Sequence, residues 1–131
     1  MSMATSTATP EAACRQALPS SVINEWESAR RIFARADAAV EAFEQTYLTV
    51  AQQHDGSAAS VDRLTVIEGK FFRLIEIRYN AADDLFACPA PTLRDFAIKV
   101  DLMIEDERWD NEGFDDLLAS LKADLNRMGV R

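Results

Sequence analysis

The chain has 131 residues, 48% of them apolar and 27% charged, the balance of one ordinary globular domain. Its 22 acidic and 14 basic residues leave a formal net charge of −8, which disfavours direct binding to nucleic acid or an anionic membrane, because phosphates repel such a surface. No apolar run approaches the length of about eighteen residues that a membrane span requires.

Residues 1–19 are rich in Ala, Ser and Thr and lack the basic start and apolar block of a signal peptide, so they predict a disordered tail ahead of a single helical domain over 20–131. Cys14 and Cys88 are far apart and form no metal-type cluster, which fits a reduced, cytoplasmic setting. The first helix is expected from Ser20 or Ser21, with Ser21 as N-cap, to about Gln52. Over that span Val22, Trp26, Ala29, Phe33, Ala36, Val40, Phe43, Tyr47 and Val50 recur in a four-three rhythm, which puts them on one face of a rod roughly 43 Å long at about 1.5 Å per residue. A helix this apolar on one side must bury that side against another helix.

His54-Asp55-Gly56-Ser57 should break the helix. A second is expected from about Ser60, its cap, to about Phe86. It carries one seam of Leu64, Ile67, Phe71, Leu74, Ala81 and Leu85, interrupted by Arg78, and a second seam of Phe72, Ile75, Tyr79, Ala82 and Phe86. A helix apolar over so much of its circumference sits between two partners. Gly69 lies at its middle, either as neutral drift or as the mark of a close helix crossing. Cys88-Pro89-Ala90-Pro91 ends the helix, since each proline holds its predecessor extended. Thr92 and Asp95 then form a capping-box-like pair for a third helix over about 93–107, with Leu93, Phe96, Ala97, Val100, Met103 and Ile104 on its inner face. After a turn at Trp109–Gly113, Asn111 or Asp110 is expected to cap a fourth helix that buries Phe114, Leu117, Leu118, Leu121, Leu125 and Met128, with Gly129 just past its end and Arg127 at its negative pole. The predicted fold is all-α: a long antiparallel helical hairpin plus a shorter C-terminal helical hairpin, like a four-helix bundle.

Lettered as a heptad, the first helix places Trp26, Phe33, Val40 and Tyr47 at a and Val22, Ala29, Ala36, Phe43 and Val50 at d. Position e is mostly charged (Ile23, Arg30, Asp37, Glu44), whereas g is largely apolar or neutral (Glu25, Ile32, Ala39, Thr46). A two-stranded zipper wants charge on both flanks, so the face is that of a globular bundle. Surplus apolar surface on two long helices favours a homodimer, with a compact monomer as the alternative.

Catalytic chemistry finds no foothold in these residues. The sole histidine, His54, sits in a turn and reads as a solvated loop residue. The di-iron pattern of helical bundles, a zinc site, a serine triad and a phosphate loop all lack their residues, and no cofactor is expected. The acidic run from Asp101 to Asp116 departs from a calcium loop at Arg108 and Trp109, and reads as a solvated helix end or as a patch for a basic protein. Trp109 within it either staples the turn or anchors a partner. Candidate partner-binding residues are therefore Trp109, Asp106, Glu107 and Asp110 on the acidic turn, and Phe72 and Tyr79 on the second seam. Arg30, Arg31, Arg35, Lys70 and Arg73 are expected to pair with Glu27, Glu76 and neighbours. Arg78, inside an apolar seam, calls for a snorkelling stem or an acid such as Asp37 or Asp83.

Asp62-Arg63-Leu64-Thr65-Val66-Ile67-Glu68, then Pro89-Ala90-Pro91-Thr92-Leu93, a helix with Lys99, the acidic turn with Trp109 and a leucine-rich helix ending in Arg127 together resemble short helical proteins encoded on proteobacterial chromosomes and prophages. The likeness covers roughly residues 60–128. It implies a small helical bacterial protein, and it carries over no activity and no functional residue. Three functions compete on these grounds: a non-enzymatic, self-associating interaction module; an acidic inhibitor or nucleic-acid mimic; and a helical bundle that binds a small molecule or metal.

Overall fold

A computed structural model describes residues 18–129. The predicted tail, apart from Leu18 and Pro19, lies outside the described residues, and so does Cys14. Four helices follow in order: α1 Ser20–Gln52, α2 Ala58–Ala87, α3 Leu93–Glu105 and α4 Phe114–Arg127, with a single 3-10 turn at Arg108–Asp110 between the last two. The described residues contain no strand. The fold is all-α, a long antiparallel hairpin of α1 and α2 followed by a shorter hairpin of α3 and α4.

Local chemistry sets the boundaries. The Pro19 carbonyl accepts the first bonds of α1, from Val22 and Ile23. Gly56, at φ +80°, makes the break after it. Asp55 Oδ1 then accepts from the Ser57 N–H at 2.9 Å, and Ser57 Oγ accepts from the Ser60 N–H at 3.2 Å. Ser57, not the expected Ser60, therefore caps α2, while the Ser60 hydroxyl turns back to the Ser57 carbonyl. Thr92 caps α3 as expected: its Oγ1 accepts from the Asp95 N–H and donates to Asp95 Oδ2. Helix α3 stops at Glu105, earlier than predicted, because Glu107 turns left-handed at φ 51°. Helix α4 starts from Gly113 at φ +91° with no side-chain cap, in place of the expected Asn111 or Asp110. Gly129, at φ +77°, closes α4 as predicted.

The described residues divide into two compact units, residues 29–84 and residues 18–28 with 85–129. The first is the body of the long hairpin. Phe71 stacks on Tyr47 and Phe43, with ring centroids 4.8 and 6.2 Å apart. Arg78 resolves as the sequence suggested: its Nε donates to Asp37 Oδ1 at 2.8 Å, and its guanidinium lies over the Phe33 ring. Yet the fully buried side chains of this unit are small, namely Ala29, Ala36, Ser60, Ala81 and Ala82. Phe33, Val40, Phe43, Tyr47 and Val50 of the stripe, and Leu64, Ile67, Phe71 and Leu74 opposite, are only half-buried. Two helices cover one another along a line and leave both flanks of that line open.

The second unit packs differently. Trp26, Leu85, Phe86, Leu102, Leu117, Leu121 and Met128 are all buried. Here α3 departs from its amphipathic pattern. Its buried residues are Asp95, Lys99 and Leu102, whereas Phe96, Val100 and Met103 are half-buried and Leu93, Ala97 and Ile104 exposed. The helix is rotated from the expected face because its polar inner residues all find partners, which removes most of the cost of burying them.

Candidate functional site

The densest set of reactive side chains lies in the second unit. Lys99 Nζ donates to Asp124 Oδ2 at 2.6 Å and to Ser120 Oγ at 3.3 Å. Ser120 Oγ in turn donates to the Phe86 carbonyl at 2.6 Å. The other oxygen of Asp124 accepts from the Ala90 N–H and from Arg127 Nη1, both at 3.1 Å. Arg127 Nη2 also donates to the Ala90 carbonyl. The Lys99 ammonium lies 5.7 Å from the centre of the Trp26 ring, whose indole N–H has no acceptor among the described residues.

Helices α3 and α4 supply the polar side chains of this cluster, while the linker adds the Ala90 backbone, α2 the Phe86 carbonyl and α1 the Trp26 ring. Pro89 and Pro91 prevent the linker from satisfying its own backbone as a helix would, so Ala90 turns its N–H and carbonyl to Asp124 and Arg127. Lys99 and Asp124 are 0% and 2% exposed as side chains. Burial pushes the Lys99 ammonium below the usual lysine range, while the hydrogen bond and charge of Asp124 oppose the shift. A lysine beside a serine and an aspartate is the raw material of acid–base chemistry, but Lys99 and Asp124 are out of contact with solvent and the serine proton is committed to a backbone carbonyl. The arrangement locks the linker onto α4.

The acidic turn is open. Asp106, its half-buried member, faces Arg108, whose Nη2 lies 3.4 Å from Asp106 Oδ2. Arg108, not Trp109, is the buried residue of the turn, with its guanidinium 5.1 Å over the Phe86 ring. Trp109 is about half exposed, and Glu107 and Asp110 are exposed. Trp109 lines a polar depression of about 520 Å³ with Glu112, Asp115 and Asp116. No group of three or more His, Cys, Asp or Glu among the described residues is placed to hold a metal ion.

The long hairpin carries the apolar surface. Phe72 is 58% exposed, Val66 57% and Ile32 53%, with Ile75, Ile77 and Tyr79 also open. The second seam therefore divides: Phe72, Ile75 and Tyr79 are exposed, while Ala82 and Phe86 are buried. A depression of about 520 Å³ on the same unit is lined by Phe43, Val66, Gly69, Lys70, Arg73 and Leu74. For four of these basic residues the expected surface pairing is not found: among the described residues Arg31, Arg35, Lys70 and Arg73 have no carboxylate within ion-pair reach. The candidate residues thus fall into two groups, Phe72 and Tyr79 in one unit and Trp109, Asp106, Glu107 and Asp110 in the other.

Sequence reasoning missed Lys99, Arg108, Ser120 and Asp124. One signal was present. Leu117, Leu121, Asp124 and Met128 form a four-three seam interrupted by an acid, as Arg78 interrupts the seam of α2.

Comparison with known protein families, with curated proteins and with solved structures returned no match.

Proposed function

We propose that this protein is a non-enzymatic helical interaction module that associates with itself through its long hairpin. One observation carries the reading: over residues 29–84 the large apolar side chains are half-buried or exposed, and only small residues are fully buried. Large apolar side chains left open along a helical hairpin mark an association site more often than a free surface. A second copy supplies the missing cover in the same chemical currency, apolar helix against apolar helix. The densest polar cluster serves linker and helix, which leaves the hairpin as the surface with unspent binding capacity.

Size-exclusion chromatography with light scattering tests this directly. The expected mass exceeds the 14.6 kDa of one chain and rises with concentration. A mass that stays at one chain across the accessible range overturns the reading.

A second reading draws on the exposed carboxylates of Glu107, Asp110, Glu112, Asp115 and Asp116 around the half-exposed Trp109. On that reading the turn occupies a basic protein's anion-binding surface. Salt-sensitive binding to such a protein, lost in Trp109→Ala, supports it.

A further inference from the structure

The two flanks of the long hairpin carry opposite charge, and we infer that self-association is heterologous: the acidic flank of one copy docks on the basic flank of the next. The inference rests on the self-association proposed above and specifies which surfaces meet.

Lettering α2 to match α1 places Leu64, Phe71 and Arg78 at a and Ile67, Leu74 and Ala81 at d. The contacts of Phe71 with Phe43 and Tyr47, and of Arg78 with Phe33 and Asp37, agree with this register. In an antiparallel pair the e positions of both helices share one side and the g positions the other. The e side, with the neighbouring b positions, carries Asp37, Glu41, Glu44 and Glu68 around the exposed Phe72 and Tyr79. The g side, with the neighbouring c positions, carries Arg35, Arg63, Lys70 and Arg73 around the exposed Val66 and Ile77. Arg30 on the acidic side, and Glu25 and Asp84 on the basic side, are the exceptions.

Two features of the basic side point to an occupant. Its depression has an apolar lining to which Lys70 and Arg73 contribute, and neither of these cations finds a carboxylate among the described residues. Gly69 borders that depression, and a Cβ built there meets nothing within 4 Å. No intrachain packing requires glycine at this mid-helix position, while its missing side chain keeps the depression open to a large group from outside. The acidic side offers such groups, Phe72 and Tyr79, inside a frame of carboxylates. Pairing either flank with its own copy sets like charges together, which complementary surfaces avoid. Pairing unlike flanks satisfies both and is head-to-tail, so it grows into a ring or chain unless it closes at two.

Charge reversal on the full chain tests the inference, with helicity by circular dichroism as the folding control. Lys70→Glu/Arg73→Glu and Glu41→Lys/Glu44→Lys alter exposed positions. Each alone should weaken self-association roughly tenfold or more, because each turns attractive pairs into repulsive ones. An equimolar mixture of the two should recover association, since it restores unlike flanks to one another. If either variant alone associates as the wild type does, or the mixture associates no better than its components, the pairing of unlike flanks is overturned while self-association stands. If the wild type is monomeric throughout, self-association itself fails.

Discussion

Lys99 and Asp124, 25 residues apart, meet through a 2.6 Å ion pair out of reach of solvent, and the same carboxylate receives the Ala90 N–H and Arg127. The pair is lopsided. Asp124 has three donors, whereas among the described residues Asp124 is the only carboxylate that Lys99 meets, its other contacts being Ser120 Oγ and the face of Trp26.

That asymmetry predicts unequal mutants. Asp124→Ala strands a buried ammonium and the Ala90 N–H, and should cost about 3–5 kcal/mol. Lys99→Met keeps the apolar stem and leaves Asp124 with Arg127 and Ala90, so its cost should be about 1 kcal/mol or less. Urea denaturation measures both. A larger loss in Lys99→Met than in Asp124→Ala would reverse the assignment of which partner depends on the other.

The pH dependence of the same pair follows from the direction of its shift. Burial lowers the Lys99 pKa below the ordinary lysine value of 10.5, so between the folded value and 10.5 the unfolded chain binds more protons than the folded one. Stability from this group therefore rises with pH through that window. Below it both states are protonated and the burial cost is present in full. The wild type minus Lys99→Met difference in unfolding free energy should shift in favour of the wild type as pH climbs towards 10.5. A flat difference across that range would contradict the lowered pKa.

Arg78 predicts the opposite of a keystone. Its partner Asp37 has a side chain 39% exposed, so water can replace the guanidinium there. Arg78→Leu restores the apolar seam beside Phe33 and should leave stability within about 1 kcal/mol of wild type or raise it. A loss above about 2 kcal/mol in thermal or urea unfolding would show that the cation–π and ion-pair contacts outweigh the apolar replacement.

Phe43 is half-buried against Phe71. Phe43→Ala should cost about 1–2 kcal/mol at high dilution, below the 3–5 of a fully enclosed ring. If the cost grows with protein concentration, a second copy covers the ring.

Gly69→Ala adds a methyl group into open space on a helix interior and should stabilise the dilute chain by about 1 kcal/mol. Destabilisation at high dilution would reveal a close crossing within the chain.

Much of the fold was legible because period and punctuation are local properties. The four-three stripes marked out the four helices, Gly56 and the Pro89–Pro91 segment separated them, and the Thr92–Asp95 pair announced the cap of α3. The caps of α2 and α4 were misplaced, because Ser57 and Ser60 are chemically equivalent until Asp55 orients one of them, and Gly113 caps with backbone alone. Of the candidate partner residues, Phe72, Tyr79 and Trp109 are exposed as an interaction surface needs, whereas Asp106 is engaged with Arg108.

By itself the sequence determined the helices, their order and the long apolar stripe, since these follow from the spacing of residues within about two turns. Tertiary structure alone decided which way α3 faces and how much cover the stripe receives. Amphipathicity would turn Phe96 and Val100 inward. Lys99 and Asp95 go inward instead, because Asp124 and Thr92 stand ready to receive them. Such partners lie on other elements or emerge only once a cap has formed, and no period within α3 can encode them. The stripe from Val22 to Val50 told of a helix that must be covered; the hairpin showed that α2 covers only part of it, because two cylinders touch along a line.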